Sequence, residues 1–538
     1  MNTPSLNLFQ LIQSMSKTEK GYFKKYTSRY KKEGEIASLQ LFDIIEKQEV
    51  YDEQSIIKKY SKNTFVKQLP RYKNYLYSLI MKSLGSYYAE NTTKAQIFEQ
   101  IHNTEILVDR GMLLQARKSL KIAEKLAEKF DEFELLLIII RIELSIDLAI
   151  KAGDVSPYIK SKVALKRQKA IVKKIEYTAQ AYQQYCYALY HISSRGLNNI
   201  RDKKVVMNLK QIIQSLEKNA GRDFNTFDSL RHHYWIGGAY YNFIGKQEQS
   251  YIYYTKALQL FLKKPHLKTE KLKNYLNQLH NVLLRSSALE KYVDYENTFR
   301  MLHELYQQIP KKGSYDYFKL KILLMVSEEK LYCSYTNAKF ERVLNVIDEI
   351  EKNDLLARVE YFSKTALGKD LYQNTVNVIS WVGRLLFYNG DYKKALKWYS
   401  ILWNDKTGIE LFGQVYFSRL YSMLIHYELG NTDSINYLIN STKNIAKREY
   451  KNYQFENLFF EYMIRLTRYN TRTEKLAIFK KMKTDFTALS KNTTEKGAFK
   501  YFDIMEWIDG KIEGKPISEL LEEKMKVPIP FDPFLIKF

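Results

Sequence analysis

The stretch Trp235–Pro265, WIGGAYYNFIGKQEQSYIYYTKALQLFLKKP, decides how the rest of the chain is read. Gly238 sits inside a run of aromatic residues, and Gly245 follows seven positions later. Ser250 and Ala257 are also seven apart, and Pro265 closes the stretch. Glycine inside a helix costs roughly 0.5–1 kcal/mol relative to alanine, so its presence asks for a packing or a turn role. A residue without a side chain lets a second helix come close, and a glycine at positive φ ends a helix. The stretch therefore predicts two packed helices, with Gly238 at their contact and Gly245 at their turn. Tyr241 and Tyr254 fill the space beside the small residues.

Composition sets the class. At 538 residues the chain is too long for one compact core, since single cores stop growing near about 250–300 residues. It forms several domains or an extended array. Hydrophobic residues make up 45% and charged residues 27%, the balance of a globular chain rather than a disordered one. Of nine prolines, only Pro157, Pro265 and Pro310 lie between Pro70 and Pro516. Apolar residues recur at spacings of three and four, without sustained alternation. Few helix breakers and a helical period predict an all-α protein.

Long helices broken at intervals call for a search for internal repeats. With Gly238 numbered 8, Tyr241 falls at 11, Gly245 at 15, Ser250 at 20, Tyr254 at 24 and Ala257 at 27. This unit resembles a tetratricopeptide repeat (TPR), a helix–turn–helix with small residues at 8, 20 and 27, aromatics at 11 and 24, and a turn glycine at 15. Pro265 comes three residues after that family's proline at 32. The same register recurs with Gly383 at 8, Gly390 at 15 and Ala395 at 20, around FYNGDYKKALKWYS. Weaker echoes lie at Gly111, Ala116 and Ala123, at Thr298 (read as position 20, with Pro310 at 32), at Phe340 and Val343, and at Gly430 and Ile435. Position 20 thus falls at 250, 298, 343, 395 and 435, in steps of 48, 45, 52 and 40. The standard step is about 34. The gap from 116 to 250 leaves room for two more degenerate pairs, near Gly153 and Arg201. The resemblance implies a right-handed α-solenoid of long, degenerate TPR-like hairpins over residues 96–500, which buries a continuous core by stacking.

Residues 1–95 fall outside the repeat. SKTEKGYFKKY opens with a capping box, Ser16 and Glu19. LFDIIEK and DEQSIIKKY read as short helices, and a further helix is expected to begin at Pro70. Its apolar stripe is Tyr72, Leu76, Leu79, Ile80 and Leu84, with Arg71, Asn74, Ser78 and Lys82 opposite. Between Ile56 and Ala89 there are seven basic residues and no acidic one. This small basic N-terminal helical domain fits two roles. It could cap the array, or it could be a helix-turn-helix-like module with Lys67, Arg71 and Lys82 as its basic face.

Later segments carry further expectations. ELLLIIIRIEL, Glu134–Leu144, reads as the most buried helix; its apolar core of six residues is far short of the about 20 that span a bilayer. TRTEKLAIFKKMKTDF, Thr471–Phe486, reads as a basic amphipathic pair that continues the stack. Residues 501–538 read as capping helices and an apolar tail, with Ser518 as the N-cap of SELLEEK. The tail, KVPIPFDPFLIKF, is expected to fold back over the last helices, because its prolines forbid a helix and its apolar residues need cover.

The net charge of +25 and pI of about 9.4 admit two readings. A second basic run, YIKSKVALKRQKAIVKK, lies at Tyr158–Lys174. Such runs form an electrostatic footprint for nucleic acid or another anion. Alternatively, the AT-rich codons of a low-GC bacterial genome raise lysine together with Asn, Tyr, Ile and Phe. Cys186 and Cys333 supply neither a disulfide framework nor a zinc pattern. The opening MNTPSLNLFQLIQSMSKTEK lacks the order of a signal peptide. A soluble cytoplasmic protein without a membrane span is expected.

Catalytic signals are thin. No phosphate-binding glycine loop, H-E-x-x-H or nucleophile elbow occurs. Adjacent His232 and His233 point to different sides of a helix and cannot chelate one ion. Nothing in the sequence argues for an enzyme, a metal or a cofactor, and nothing signals an oligomeric state. The resemblance implies a protein- or peptide-binding scaffold whose groove is lined by positions 2, 5, 9, 12 and 13 of the first helix. These are His232, Trp235, Ala239, Asn242 and Phe243 in the unit at Gly238. They are Asn377, Ser380, Arg384, Phe387 and Tyr388 in the unit at Gly383. Neither unit has the lysine and asparagine, at 5 and 9, of members that bind chaperone tails. The alternative is a ligand-sensing transcriptional regulator with a nucleic-acid-binding N-terminal domain, a layout similar to that of peptide-sensing bacterial regulators.

Overall fold

The computed structural model describes residues 4–28, 33–48, 50–89, 92–150, 156–193, 203–219, 221–222, 225–309, 316–363, 368–403, 412–449, 454–469, 471–492, 495, 498–525 and 529–538. The expectations at Gly153, Arg201, Pro310, Val527 and Pro528 fall outside these residues. The protein is all-α: among the described residues every regular element is a helix.

The helices Pro4–Ser14, Lys17–Ser28, Glu33–Glu46, Glu53–Lys59, Thr64–Lys67 and Leu69–Ala89 enclose a cluster in which Leu8, Ile12, Phe23, Phe42, Phe65 and Ile80 are buried. The box at Ser16 forms: its amide donates to Glu19 Oε2 at 2.6 Å, and the Glu19 amide donates to Ser16 Oγ at 3.2 Å. In Leu69–Ala89 the stripe Leu76, Leu79 and Ile80 is buried, and Arg71, Asn74, Ser78 and Lys82 are exposed.

From Thr93 onward, helices pack chiefly on their sequence neighbours. Thr93–Asp109 lies on Leu113–Lys129, which meets Phe133–Ile150. The 38-residue helix Ser156–Ser193 links Phe133–Ile150 to Phe227–Phe243. Hairpins follow at Phe227–Phe243 with Gln247–Lys263, Leu272–Ala288 with Tyr292–Gln308, and Gly368–Tyr388 with Tyr392–Trp403.

One turn recurs through this array. Gly111, Gly245, Gly390 and Gly430 have φ between +74° and +81°. In each, the next amide donates to the carbonyl five residues before it, as Lys246 does to Tyr241 and Asp391 to Leu386, both at 2.8 Å. This pattern satisfies carbonyls that the helix end would leave bare. Asp131, Glu290 and Ala338 make the same turn at φ of 59°, 58° and 51° without being glycine. The turn at Glu290 differs from the expected register: five residues on stands Tyr295, not Thr298. A scan for turn glycines misses such a turn, because its hydrogen bonds offset the strain on a side chain at positive φ.

The small residues do bring helices together. A Cβ on Gly238 would lie 2.6 Å from the Tyr254 ring, and one on Gly383 would overlap the Tyr399 ring. Gly383→Ala is expected to cost about 1–3 kcal/mol through overpacking, read as a lower melting midpoint. Adding Tyr399→Leu should recover part of the loss. An unchanged midpoint for Gly383→Ala would show that this contact does not set the helix spacing.

Four expectations are corrected. Helix Asp316–Thr336 is more deeply buried: Leu320, Leu324 and Leu331 are buried there and so are Lys319, Lys321, Glu328, Glu329 and Lys330. Phe133–Ile150 instead leaves Leu148 59% exposed. Thr471 caps one continuous helix, Arg472–Ser490, rather than starting a pair; its box partner is Glu474. Helix Ile517–Lys524 has Pro516, not Ser518, at its N-cap.

The tail, finally, does not cover the last helices. Those bury Ile504, Trp507, Ile508 and Leu521 among themselves and their predecessors, with Trp507 against Tyr427 and Phe479. The tail lies on Tyr292–Gln308 and Asp316–Thr336, where an aromatic face receives it. Phe531 is 5.4 Å from Phe299, and Phe538 is 5.0 Å from His303. The Ile529 amide donates to Asn337 Oδ1 at 2.7 Å, and Arg342 pairs with Asp532 at 2.9 Å. Cys186 is exposed and Cys333 buried, both as free thiols. Among the described residues no helix is long and apolar enough to cross a membrane.

Candidate functional site

A cavity of about 400 Å³ opens where Leu272–Ala288, Asp316–Thr336, Gly368–Tyr388 and Phe412–Glu428 converge. Tyr332, Tyr335, Trp381 and Tyr421 give it aromatic walls, and Arg285, Glu328, Asn377, Ser380 and Arg384 give it polar groups. The recurring turn explains the convergence. Ten and six residues before Glu290 stand His280 and Leu284. The same count before Ala338 gives Glu328 and Tyr332, and before Gly390 it gives Ser380 and Arg384. All but His280 line the cavity, and His280 Nε2 lies 3.5 Å from Glu328 Oε2. Equivalent positions on three successive hairpins therefore meet at one place.

Arg384 is held by its own chain. Its guanidinium pairs with Asp503, donates to the Tyr388 hydroxyl at 2.6 Å, and lies 4.8 Å from the rings of both Tyr335 and Trp381. The Tyr388 hydroxyl also donates to Asp503, and the Asp503 amide donates to the Tyr421 hydroxyl at 3.2 Å. Burial lowers the Arg384 pKa, but the Asp503 carboxylate together with the oxygens of Tyr388, Tyr421 and Tyr335 offsets it and holds the value above the ordinary one.

Glu328 and Glu329 differ in their surroundings. Glu328 Oε1 accepts from Asn377 Nδ2 at 3.0 Å. Glu329 is fully buried toward the Tyr295 hydroxyl, and its pKa is pushed up to about 8, first by burial and then by the charge of Glu328. The folded chain thus keeps a proton that the unfolded chain releases near pH 4.5. Between those two values the folded state binds more protons, so this group's contribution to stability falls as pH rises. Glu329→Gln is expected to remove that fall: it should melt above wild type at pH 8 and match it near pH 4. Parallel melting curves across the range would show that Glu329 ionises normally.

The residues singled out from sequence separate into distinct places. Asn377, Ser380 and Arg384 line the cavity, while Phe387 and Tyr388 are buried behind it. Asn242 is exposed, and its Oδ1 accepts from Arg285 Nη1 at 2.6 Å. His232, Trp235 and Phe243 do not line the cavity. His232 is 4% exposed and packs on Tyr185, as Trp235 does; Phe243 is buried. Burial, then Arg231, brings the His232 pKa down to about 3, and burial brings that of His233 to about 4, so both are neutral packing groups at pH 7. Lys67, Arg71 and Lys82 are exposed. Among the described residues no three His, Cys, Asp or Glu side chains gather as a metal site.

No family model, curated protein or solved structure matches the chain. The site therefore stands on its geometry, and most of that geometry was out of reach of a sequence reading. Trp381 had a signal, since it shares a helix face with Asn377 and Arg384. Glu328 and Tyr332 would have followed from the repeat count had the turn at Ala338 been used to place the groove. Arg285 falls outside the groove positions, and Asp503 arrives from 119 residues beyond Arg384. Rings, one carboxylate, an amide and two guanidinium groups around one space can hold a ligand by stacking, charge and directional hydrogen bonds.

Proposed function

We propose that this chain is a non-enzymatic peptide-binding scaffold, a TPR-like α-solenoid over residues 96–500 behind a small helical domain over 1–95. Its ligand lies on the inner surface at the cavity of Arg285, Glu328, Asn377, Ser380 and Trp381. The observation that carries the reading is the meeting there of equivalent positions from three successive hairpins. Stacked repeats present such positions as one continuous surface, and a volume of about 400 Å³ holds a short part of a peptide. A cytoplasmic setting belongs to the same proposal, from the two free thiols.

The cavity must be blocked without loss of the fold. Arg384→Ala would strand Asp503, so it is a poor probe. Ser380→Phe places a ring in the cavity instead. The intact protein is expected to retain members of an immobilised decapeptide library, and Ser380→Phe to lose them while keeping its melting temperature. Retention of the same members by both, or of none by the wild type, sinks the reading.

A second reading has its own observation. Lys58, Lys59, Lys62, Lys67, Arg71 and Lys82 are all exposed, and that stretch of chain has no acidic residue. In this reading the first 95 residues bind nucleic acid and the array senses a ligand. Six phosphate contacts predict a fall in duplex DNA affinity of about a thousandfold between about 50 and about 200 mM salt. DNA binding that ignores salt excludes it.

A further inference from the structure

The cavity contains a charge that the chain leaves partly unmet. Glu328 is 5% exposed, and its Oε2 has no hydrogen-bond partner among the described residues. His280 Nε2 stands 3.5 Å away, and Asn377 engages only Oε1. Glu329, next in sequence, does not line the cavity, so Glu328 is the carboxylate that faces it. Of the cations nearby, Arg384 is neutralised by Asp503. Arg285 donates from Nη1 to the amide oxygens of Asn242 and Gln247, both at 2.6 Å, and is only partly buried.

Arg285 on its own would favour an anion. Two facts decide against that. Water screens the partly buried guanidinium, whereas a buried carboxylate oxygen without a hydrogen bond carries a desolvation cost. An anion in this space would also meet Glu328 at close range. A cation would meet that oxygen and the ring of Tyr332, over which no cation of the chain lies among the described residues, and aromatic rings attract positive charge.

We propose, resting on the peptide-scaffold reading, that this cavity receives a cationic side chain of the bound peptide, an arginine guanidinium or a lysine ammonium, and pairs it with Glu328. Arg285 then faces the ligand's backbone carbonyls. The cavity thus selects peptides by charge, although the protein as a whole is strongly basic.

The test uses the full chain and decapeptide pools that are random except at one central position. That position holds arginine, lysine, the neutral isostere citrulline, or glutamate. Wild type is expected to retain the arginine and lysine pools about tenfold more than the citrulline pool, and the glutamate pool least. Glu328→Gln, which keeps the shape and the contact to Asn377, is expected to retain arginine and citrulline pools alike. Its melting curve checks its fold, and the wild-type comparison stands without it. Equal retention of the arginine and citrulline pools by wild type, with loss of both in Ser380→Phe, overturns the charge selection and leaves the scaffold reading intact. A preference that survives in a folded Glu328→Gln overturns the assignment to Glu328. Failure to retain any pool overturns both.

Discussion

Asp503→Ala is expected to destabilise the protein by about 3–5 kcal/mol, the usual cost of removing one partner of a buried ion pair. Arg384 and Asp503 side chains are 11% and 7% exposed, and the hydroxyls of Tyr388 and Tyr421 complete their shell. Without Asp503 the guanidinium keeps only neutral partners in a place that water reaches poorly. The pair also ties the segment before Ile504–Glu513 to Gly368–Tyr388, so the loss should loosen the wall formed by Tyr421 and Tyr501 and reduce peptide retention as well. Removing both charges is a different experiment. The double variant Arg384→Met, Asp503→Leu strands nothing and should recover most of the stability. Thermal melting of wild type, single and double variants reads the effect. A single variant that melts with wild type would mean the pair is solvated and structurally idle.

Removal of residues 527–538 should be comparably severe. Ile529 and Pro533 are buried, Phe531 and Phe538 are half-buried against the aromatic face of Tyr295, Phe299 and Tyr306, and Phe534 is half-buried beside the cations of Lys330 and Arg342. Each large apolar side chain contributes roughly 1.5–3 kcal/mol when fully buried, so the tail contributes several kcal/mol before the entropy of ordering it is subtracted. Tyr295 and Phe299, fully buried in the intact chain, would be uncovered and should promote aggregation. A thiol provides a local readout. Cys333 belongs to the same cluster as Ile529, and burial, followed by Asp532, pushes its pKa up to about 12. In the intact protein only Cys186 should react promptly with a thiol reagent; in the truncated one Cys333 should join it. Unchanged melting and unchanged labelling would show that the tail rests on the surface without holding it.

How much was legible varies by residue. Gly238 and Gly383 were readable because a glycine amid aromatics has few physical explanations, and close approach to Tyr254 and Tyr399 is the one found. Gly245 and Gly390 were readable as turns for the same reason. Glu290 was not, since nothing about glutamate announces positive φ, and the turn at Ala338 was placed only by the register of Phe340 and Val343. The unread turn at Glu290 displaced one repeat by three residues, so the count that leads to His280 and Leu284 was lost. Of the candidate groove, Asn377, Ser380 and Arg384 reached the cavity. His232 and Phe243 became packing groups because the neighbouring helix Ser156–Ser193 and the hairpin itself close over them.

The sequence by itself determined the all-α class, the capping box at Ser16, the inward stripe of Leu69–Ala89 and the close contacts at its glycines. These depend on residues within one helix or one hairpin, and helical period, capping and small-residue spacing are local properties of the chain. The tertiary structure alone decided the burial of Asp316–Thr336, whose lysines and glutamates carry no local sign of it. Lys330 is paired with Glu349 at 2.6 Å, Lys321 with Asn277 at 2.6 Å, and Glu328 with Asn377 at 3.0 Å. It also decided the meeting of Arg384 with Asp503, and the docking of the tail some two hundred residues upstream. A charge is buried only when a partner is delivered to it, and that delivery depends on how distant helices stack, which no local pattern records.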